Sequence, residues 1–361
     1  MKLIGVPNGG KVREEVRSKL RTDDFDYRLP PELIAQEPLE KRDNSRLLVM
    51  ERSSGDMHHS SFDRLPLYLE EGDLLVLNDT RVLPARLLGK RKDTGGKIEL
   101  LLLRRLEGSK WEALSSPGKR AMPGTVLVFG DGQLEAEILE RTDSGGRIVL
   151  FKPAEPLLSK LLKMLGEVPL PPYIKKQLQD GERYQTVYAR KEGSAAAPTA
   201  GLHFTPFVFN ELSRKGIDWI YLTLHIGTGT FRPVKDEYVQ NHVMHSEYYE
   251  LSAAVAEKIN SAKEKGRKVI AVGTTSCRVL ETLGGENGRL CEGRGETDIF
   301  IYPEYRFKIV DALITNFHLP RSTLLMLVCA FAGRENTLRA YAEAIERGYR
   351  FYSFGDCMLV I

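Results

Sequence analysis

A block of closely spaced β-strand patterns without helices, residues 83–152, interrupts a chain that otherwise alternates helices and strands. Within the block, short apolar runs are separated by the turn signals Gly95–Gly96, Asp131–Gly132 and Gly145–Gly146, which favour successive hairpins. Five or six such strands predict a small barrel or sandwich. Because helix-and-strand patterns lie on both sides, we predict an α/β fold in which a large mixed-sheet α/β domain is interrupted by an inserted small β domain.

The length of 361 residues is enough for about two domains. We place the α/β domain at residues 23–82 and 153–361 and the inserted domain at 83–152, and we assign no role to residues 1–22, a charged extension. No stretch is long and apolar enough to span a bilayer, and the first residues lack an apolar signal segment. The four cysteines form no C-x-x-C pair, so we expect neither disulfides nor a structural metal, and a cytoplasmic protein.

Positive charge is concentrated near the start of the β block, although the whole chain has a net charge of only +3. Residues 81–120 hold eleven Lys or Arg and four acids, which makes this segment +7 and leaves the remainder at −4. Such a concentration suggests a polyanion partner, although a solvated strand face would explain the charge equally well. The basic residues that we select as nucleic-acid contacts are Lys90, Arg91, Lys92, Arg104, Arg105, Lys119 and Arg120.

Two histidines accompany turns made of small residues. Between residues 193 and 205 only three side chains are large, and one of them is His203, so the backbone there can approach a ligand closely. His225 ends an apolar strand just before the Gly-Thr-Gly-Thr turn at 227–230. Loops at the carboxyl ends of strands bind ligands in open α/β sheets, and histidine exchanges protons near neutral pH. A packed histidine beside an ordinary loop is the rival interpretation.

Polar side chains also lie at the ends of other predicted apolar strands or inside them. They are Asn78, Asp79 and Arg81 after the strand at 74–77, Thr274 and Thr275 in a turn between a strand and a helix, Asp311 inside a strand, and Asn316 and His318 after it. Such turns offer backbone N–H groups and hydroxyls to a polar ligand, and a carboxylate inside an apolar strand is costly unless it is paired or functional. A hydrogen-bonded turn that binds nothing is again the alternative.

Several long strings of the sequence resemble one known family. They include GDLLVLNDTRVLPARL, AAPTAGLHFT, LHIGTGTFRPV, VIAVGTTS and VDALITNFHLPRSTLLMLV. From about Phe25 to Ile361 the chain is identified as a member of the S-adenosylmethionine:tRNA ribosyltransferase-isomerase family of queuosine biosynthesis. The resemblance implies a large α/β domain with an inserted β-barrel. It also implies that tRNA and S-adenosylmethionine are the partners, without a membrane.

The reaction that the resemblance implies moves the ribosyl moiety of S-adenosylmethionine onto 7-aminomethyl-7-deazaguanine at the tRNA wobble position and isomerises it. The product is epoxyqueuosine in tRNA, and adenine and methionine are released. A proton leaves a carbon next to the sulfonium and adenine departs, so a general base and a general acid are needed. We expect His203 and Asp311 to transfer protons, with His225 and His318 as second candidates.

The remaining candidates follow from what the substrates would need. A cationic sulfonium suits a carboxylate or an aromatic face, which Asp79, Phe204 and Phe231 would supply. The other residues that we expect to bind substrate are Asn78, Arg81, Thr199, Ala200, Gly201, Gly227, Gly229, Thr274, Thr275 and Asn316. S-adenosylmethionine is consumed as the ribosyl donor, so we expect no bound prosthetic group and no metal. We expect a monomer.

Two other classes of function remain open on the residues alone. His242 and His245 are spaced to share a helical face and would bind a metal for hydrolysis together with a further histidine or Asp311, but no HExxH-type carboxylate accompanies them. A non-catalytic RNA-binding protein would use only the basic β block. Release of adenine from S-adenosylmethionine that depends on tRNA separates the transferase from both alternatives.

Overall fold

The computed structural model describes residues 19–142, 145–227 and 233–361. The strands in these ranges are β1 (Arg46–Met50), β2 (Met57–Ser61), β3 (Leu74–Asn78), β4 (Thr80–Val82), β5 (Arg86–Arg91), β6 (Lys97–Arg105), β7 (Lys110–Ser116), β8 (Val126–Phe129), β9 (Leu134–Arg141), β10 (Arg147–Lys152), β11 (Gly166–Glu167), β12 (Lys191–Ser194), β13 (Asp218–Leu224), β14 (Glu247–Leu251), β15 (Val269–Val272), β16 (Gly293–Thr297), β17 (Ala312–Asn316) and β18 (Cys357–Val360). The α-helices are α1 (Leu157–Leu165), α2 (Pro206–Arg214), α3 (Ala253–Glu264), α4 (Gly273–Leu283), α5 (Thr323–Ala332) and α6 (Arg334–Glu346).

Some expectations fall on residues beyond these ranges. Most of the predicted extension, residues 1–22, and the substrate-binding candidates Gly229 and Phe231 lie outside the described residues. Within the described ranges, no helix has the length and apolar character needed to cross a bilayer.

A mixed sheet of nine strands organises the larger part of the molecule, in the order β16-β14-β13-β3-β15-β17-β18-β1-β2. Its centre, β13-β3-β15-β17, is parallel. β3, β15 and β17 are nearly continuous apolar runs because both of their faces are buried, whereas β13 is exposed where it begins. In β3, Leu74 and Val76 pack in the layer that contains α3, α4, α5 and α6, while Leu75 and Leu77 pack in the layer that contains α2. The carboxyl ends of the four parallel strands therefore meet along one edge.

Local sequence chemistry sets the two ends of α2. Helix α2 begins where the Thr205 hydroxyl accepts the Val208 N–H at 3.4 Å, with Pro206 in the first position. Gly216, at a φ of 72°, ends the segment. The prediction of a turn at residues 273–276 was wrong, because α4 begins at Gly273 directly after β15 and makes these residues its first turn.

The inserted β block forms a closed barrel of six strands in the order β5-β6-β7-β10-β9-β8, and β8 pairs with β5 to close it. Alternate side chains fill its interior, for example Ile98, Leu100 and Leu102 of β6. The predicted fold class, an α/β domain interrupted by a β-barrel, is confirmed, and the barrel replaces the alternative of a sandwich. Helix α1 and strand β11, which follow the predicted boundary at residue 152, also pack on the barrel.

Candidate active site

The carboxyl ends of the parallel strands are tied together by Asn78, the last residue of β3. Its Nδ2 donates to the Leu224 carbonyl of β13 at 3.0 Å and to Thr275 Oγ1 in α4 at 3.2 Å. Its Oδ1 accepts the N–H groups of Thr80 and Leu224, both at 3.1 Å. Because these four bonds use both amide hydrogens and both acceptor sites, Asn78 positions the strand ends and has little capacity left for a ligand.

A small cavity of about 30 Å³ lies against these strand ends. The predicted substrate and proton-transfer residues that line it are Thr199, Ala200, Thr274, Thr275, Asn316 and His318. The structure therefore brings these candidates together, as expected from the meeting of strand ends. The cavity has room for a water molecule but not for a nucleoside.

A larger cleft of about 720 Å³ opens between the sheet domain and the barrel. Residues from the sheet domain that line it include Gly193, His225, Gly227, Glu247, Tyr248 and Glu296, and residues from the barrel include Leu102, Arg104, Arg105 and Trp111. Ile226 lines both the cleft and the small cavity, so the two spaces adjoin. The volume lies in the range of small-molecule sites, which are frequent at domain junctions.

Among the four predicted proton-transfer residues, His225 is the one that lines the cleft. Its Nδ1 is 2.8 Å from Thr80 Oγ1, and its ring stacks on Tyr248 with centroids 5.7 Å apart. A Cβ on Gly193 would lie 2.6 Å from Nε2, so a side chain at that position would displace the ring. Burial lowers the pKa of His225 more than nearby Asp79 raises it. The imidazole is therefore neutral near pH 7 and available as a base.

His203 and His318 lie deeper than His225. His203 Nδ1 is 2.7 Å from Ser45 Oγ, and His318 Nε2 is 2.7 Å from Thr315 Oγ1. Burial lowers the pKa of His203 to about 4, although neighbouring Asn316 opposes this shift, and burial lowers the pKa of His318 to about 3. Both rings are neutral and weakly basic. His318 lines the small cavity, whereas His203 lines a separate void of about 20 Å³.

The structure does not bring Asp311 to this edge of the sheet. Strand β17 begins at Ala312, so Asp311 precedes the strand and lies at the end opposite Asn316. Its carboxylate accepts two contacts from Lys263 Nζ, at 3.0 and 3.1 Å, and the Val269 N–H at 2.9 Å. The predicted position inside an apolar strand was wrong, and the ion pair with Lys263 accounts for a carboxylate at this place.

Two further polar candidates are engaged away from the cleft and the small cavity. Asp79 is buried, and it accepts the Thr223 hydroxyl at 2.7 Å and Arg190 at 3.0 Å. Arg81 forms an ion pair with Glu182. These partners satisfy the charges that the sequence suggested for a ligand.

Phe204 and Gly201 serve packing. Phe204 is fully buried and contacts Phe62 edge to face, with centroids 5.0 Å apart, so it presents no accessible face to a sulfonium. Gly201 lies under the Tyr188 hydroxyl, where a Cβ would come within 2.0 Å of the oxygen. The approach of the Tyr188 side chain accounts for a small residue at this position.

A buried ion pair that the sequence analysis missed supports the cleft. Glu247 and Arg278 pair with each other, and each is at most 4% exposed. Glu247 Oε1 also accepts the Gly227 N–H at 2.8 Å, which fixes the backbone just after His225. The period-two pattern of the segment EYYEL places Glu247 on the face of Tyr249 and Leu251, so alternation would have predicted a buried carboxylate that needs a cation.

The seven basic candidates for nucleic-acid binding fall into two groups at opposite ends of the barrel. Arg104 and Arg105 end β6 and line the cleft. The second group, here called the distal group, lies around Lys97 at the start of β6. It consists of Lys90, Arg91, Lys92, Lys119 and Arg120. The nine residues of β6 separate the two groups by about 26 Å, at 3.3 Å per residue.

The histidine pair proposed for a metal does not share a helix face. A short 3-10 turn, Val239–Asn241, precedes His242, and His242 Nδ1 is 3.2 Å from Asp236. Across residues 19–142, 145–227 and 233–361, no group of three or more His, Cys, Asp or Glu side chains is arranged to hold a metal ion.

Comparison with known proteins identifies the family. A family profile described as "Queuosine biosynthesis protein" matches residues 22–360. Proteins named S-adenosylmethionine:tRNA ribosyltransferase-isomerase from Clostridium kluyveri and Acetivibrio thermocellus are each 57% identical over 341 residues, which is 94% of this chain and 100% of theirs. A crystal structure of S-adenosylmethionine tRNA ribosyltransferase from Thermotoga maritima is 41% identical, and the match covers 94% of this chain and 100% of that chain with a TM-score of 0.54. The chain belongs to the queuosine biosynthesis protein family.

Proposed function

We propose that this protein transfers the ribosyl moiety of S-adenosylmethionine to 7-aminomethyl-7-deazaguanine at the wobble position of tRNA and isomerises it, giving epoxyqueuosine-tRNA, adenine and methionine. The names of full-length relatives support the two substrates and the class of reaction. We further expect the protein to act in the cytosol and to be a monomer. Sedimentation of the purified protein tests the oligomeric state.

The observation that carries the proposal is the cleft of about 720 Å³ at the junction of the barrel and the sheet domain. A transfer between a nucleoside and a tRNA base needs one space that both reactants enter. On the sheet side, the neutral His225 and the exposed Tyr248 line this space. An aromatic face next to carboxylate side chains suits a sulfonium.

His225 is the group that we assign to removing the proton next to the sulfonium. Thr80 Oγ1 lies 3.5 Å from the Lys191 carbonyl, to which it donates, and 2.8 Å from His225 Nδ1. With the hydroxyl hydrogen directed to that carbonyl, Oγ1 accepts from Nδ1–H, and Nε2 is left unprotonated. Proton transfer requires a base that is not already protonated. His203 and His318 remain candidates for support of the adenine-leaving step from behind the cleft.

Both basic groups of the barrel fit a tRNA that enters the cleft. Arg104 and Arg105 lie at its edge, and the distal group lies about 26 Å away, so an RNA duplex along the barrel would contact both. Changing Lys90, Arg91 and Lys92 together to glutamate should weaken tRNA binding and lower the salt slope by about 0.9 for each lost phosphate contact. An unchanged slope would place the tRNA on another surface.

The decisive assay follows adenine release from S-adenosylmethionine labelled in the adenine ring. We expect release only when tRNA carrying 7-aminomethyl-7-deazaguanine is present, and the tRNA should gain the mass of the transferred unit. The same tRNA with guanine at the wobble position is the matched control. Adenine release without tRNA, or no release with both substrates, would refute the proposed function.

A further inference from the structure

The barrel side of the cleft contains a buried donor without a partner, the indole of Trp111. This residue is the second of β7, is 8% exposed and lines the cleft. Within the described part of the chain, its Nε1–H has no hydrogen-bond partner. An unpaired buried donor is costly, and native proteins rarely keep one without a reason.

Comparison with the second tryptophan shows that the missing hydrogen-bond partner is specific to Trp111. The chain has two tryptophans, and Trp219 donates its Nε1–H to the Tyr221 hydroxyl at 3.0 Å. Its ring packs on Phe209 in the layer around α2. Trp219 is thus satisfied within the fold, whereas Trp111, whose ring packs in the barrel core and borders the cleft, keeps a buried N–H that no group of the described residues accepts.

The charges around the cleft indicate which substrate meets Trp111. Arg104 and Arg105 share the barrel wall with it, and their ion pairs with Glu112 and Glu155 leave the two arginine side chains 65% and 44% exposed. Surface pairs of this kind are weak, so a phosphate can take over either guanidinium. Glu112 lines the same wall, but the two arginines leave the wall with a net positive charge, which disfavours a cationic sulfonium.

The opposite wall has the complementary character. Glu296 and the aromatic ring of Tyr248 line the cleft from the sheet domain, with Ser246 donating to Glu296 at 2.9 Å. A carboxylate and an aromatic face attract a cation. The two walls therefore divide the two substrates between them.

We propose that Trp111 binds the tRNA nucleotide in the cleft, with its Nε1–H donating to an acceptor on that nucleotide and Arg104 and Arg105 contacting neighbouring phosphates, while S-adenosylmethionine occupies the sheet wall. This inference rests on the proposed function and names the domain that holds the anticodon. Aromatic side chains next to arginines are a common way to hold an unpaired RNA base.

Steady-state kinetics of Trp111→Phe test the donor, since phenylalanine keeps a ring and removes the N–H. Loss of one hydrogen bond should raise the KM for tRNA about 5-fold to 10-fold and leave the KM for S-adenosylmethionine unchanged. Trp219→Phe is the matched control and should leave both constants unchanged. A Trp111→Phe enzyme whose KM rises only for S-adenosylmethionine would overturn the assignment of the walls.

A binding measurement that needs no turnover separates this inference from the proposed function. In Trp219→Phe protein the remaining tryptophan is Trp111, and we expect its emission to be quenched by an anticodon stem-loop and not by S-adenosylmethionine. In Trp111→Phe protein the emission of Trp219 should respond to neither. Emission of Trp111 that ignores saturating RNA overturns the inference even if adenine release is normal. Absence of adenine release from the wild type, with quenching intact, refutes the proposed function alone.

Discussion

The two ends of the parallel strands carry polar side chains of similar kinds, but the two ends use them differently. At the amino ends, Asp73 and Asp311 accept backbone N–H groups from neighbouring segments and so join adjacent strands. At the carboxyl ends, His203 and Asn316 are neighbours: burial lowers the pKa of His203 and Asn316 raises it, although His203 Nε2 and Asn316 Oδ1 make no hydrogen bond of good geometry among the described residues. Two cavities open at these ends. Polar residues at the amino ends therefore join strands, whereas at the carboxyl ends some, such as Asn78, join strands and others, such as Asn316 and His318, line a cavity.

The largest effect should come from His225 at the carboxyl end. We expect His225→Gln to lower kcat by about 10²-fold to 10⁴-fold, because the amide cannot accept a proton from carbon. The measurement is single-turnover adenine release with both substrates saturating, and thermal unfolding checks that the fold is retained. A rate close to that of the wild type would place the base elsewhere and weaken the contrast between the two ends.

The next largest effect should come from the buried pair that holds the backbone after His225. Arg278→Met leaves Glu247 buried without its cation, and we expect the free energy of unfolding in urea to fall by about 3–5 kcal/mol. Arg289→Met is the matched control, since Arg289 and Glu264 are about 60% exposed, and it should cost at most about 1 kcal/mol. Equal losses in the two variants would show that the buried ion pair stabilises the fold no more than the exposed one does.

The deeper histidines at the carboxyl end predict a loss of stability in acid. Unfolded histidine has a pKa of about 6.5, whereas the folded pKa is about 4 for His203 and about 3 for His318. Between the folded and unfolded pKa values the unfolded state binds more protons than the folded state. The contribution of the two histidines to the free energy of unfolding is therefore complete above pH 6.5, and it decreases as the pH is lowered until the folded pKa is reached. The slope is about 1.4 kcal/mol per pH unit for each histidine.

Urea unfolding of the wild type and of His318→Gln between pH 7 and pH 4 isolates the contribution of His318 to stability. The carboxylates also destabilise the fold in acid, but they are the same in both proteins and their effect cancels in the difference. We expect the variant to lose about 1.4 kcal/mol per pH unit less than the wild type. Parallel curves would mean that His318 titrates alike in the folded and unfolded states.

Local patterns were sufficient where local chemistry sets the structure. Thr205 followed by Pro206 is a typical helix start, and α2 begins there. Thr275, at a predicted strand end, does meet other polar candidates. The apolar residues around Asp311 indicated a strand but not where it begins, so a residue at the amino end was assigned to the active edge. Trp111 was not found because its role depends on packing the barrel against the sheet domain, which no short stretch of sequence encodes.

The smallest effect should come from the amino end, and it tests the comparison most directly. Asp311→Asn keeps an oxygen for the Val269 N–H and loses only the charge that faces Lys263. Since these side chains are 37% and 23% exposed, the free energy of unfolding should fall by about 1 kcal/mol or less, with adenine release unchanged. Lys263→Met should cause a somewhat larger loss, because it removes the other half of the pair and also the donor to the Ile309 carbonyl at 2.9 Å. If Asp311→Asn instead lowered turnover about a hundredfold at unchanged stability, both ends of the strands would take part in the reaction.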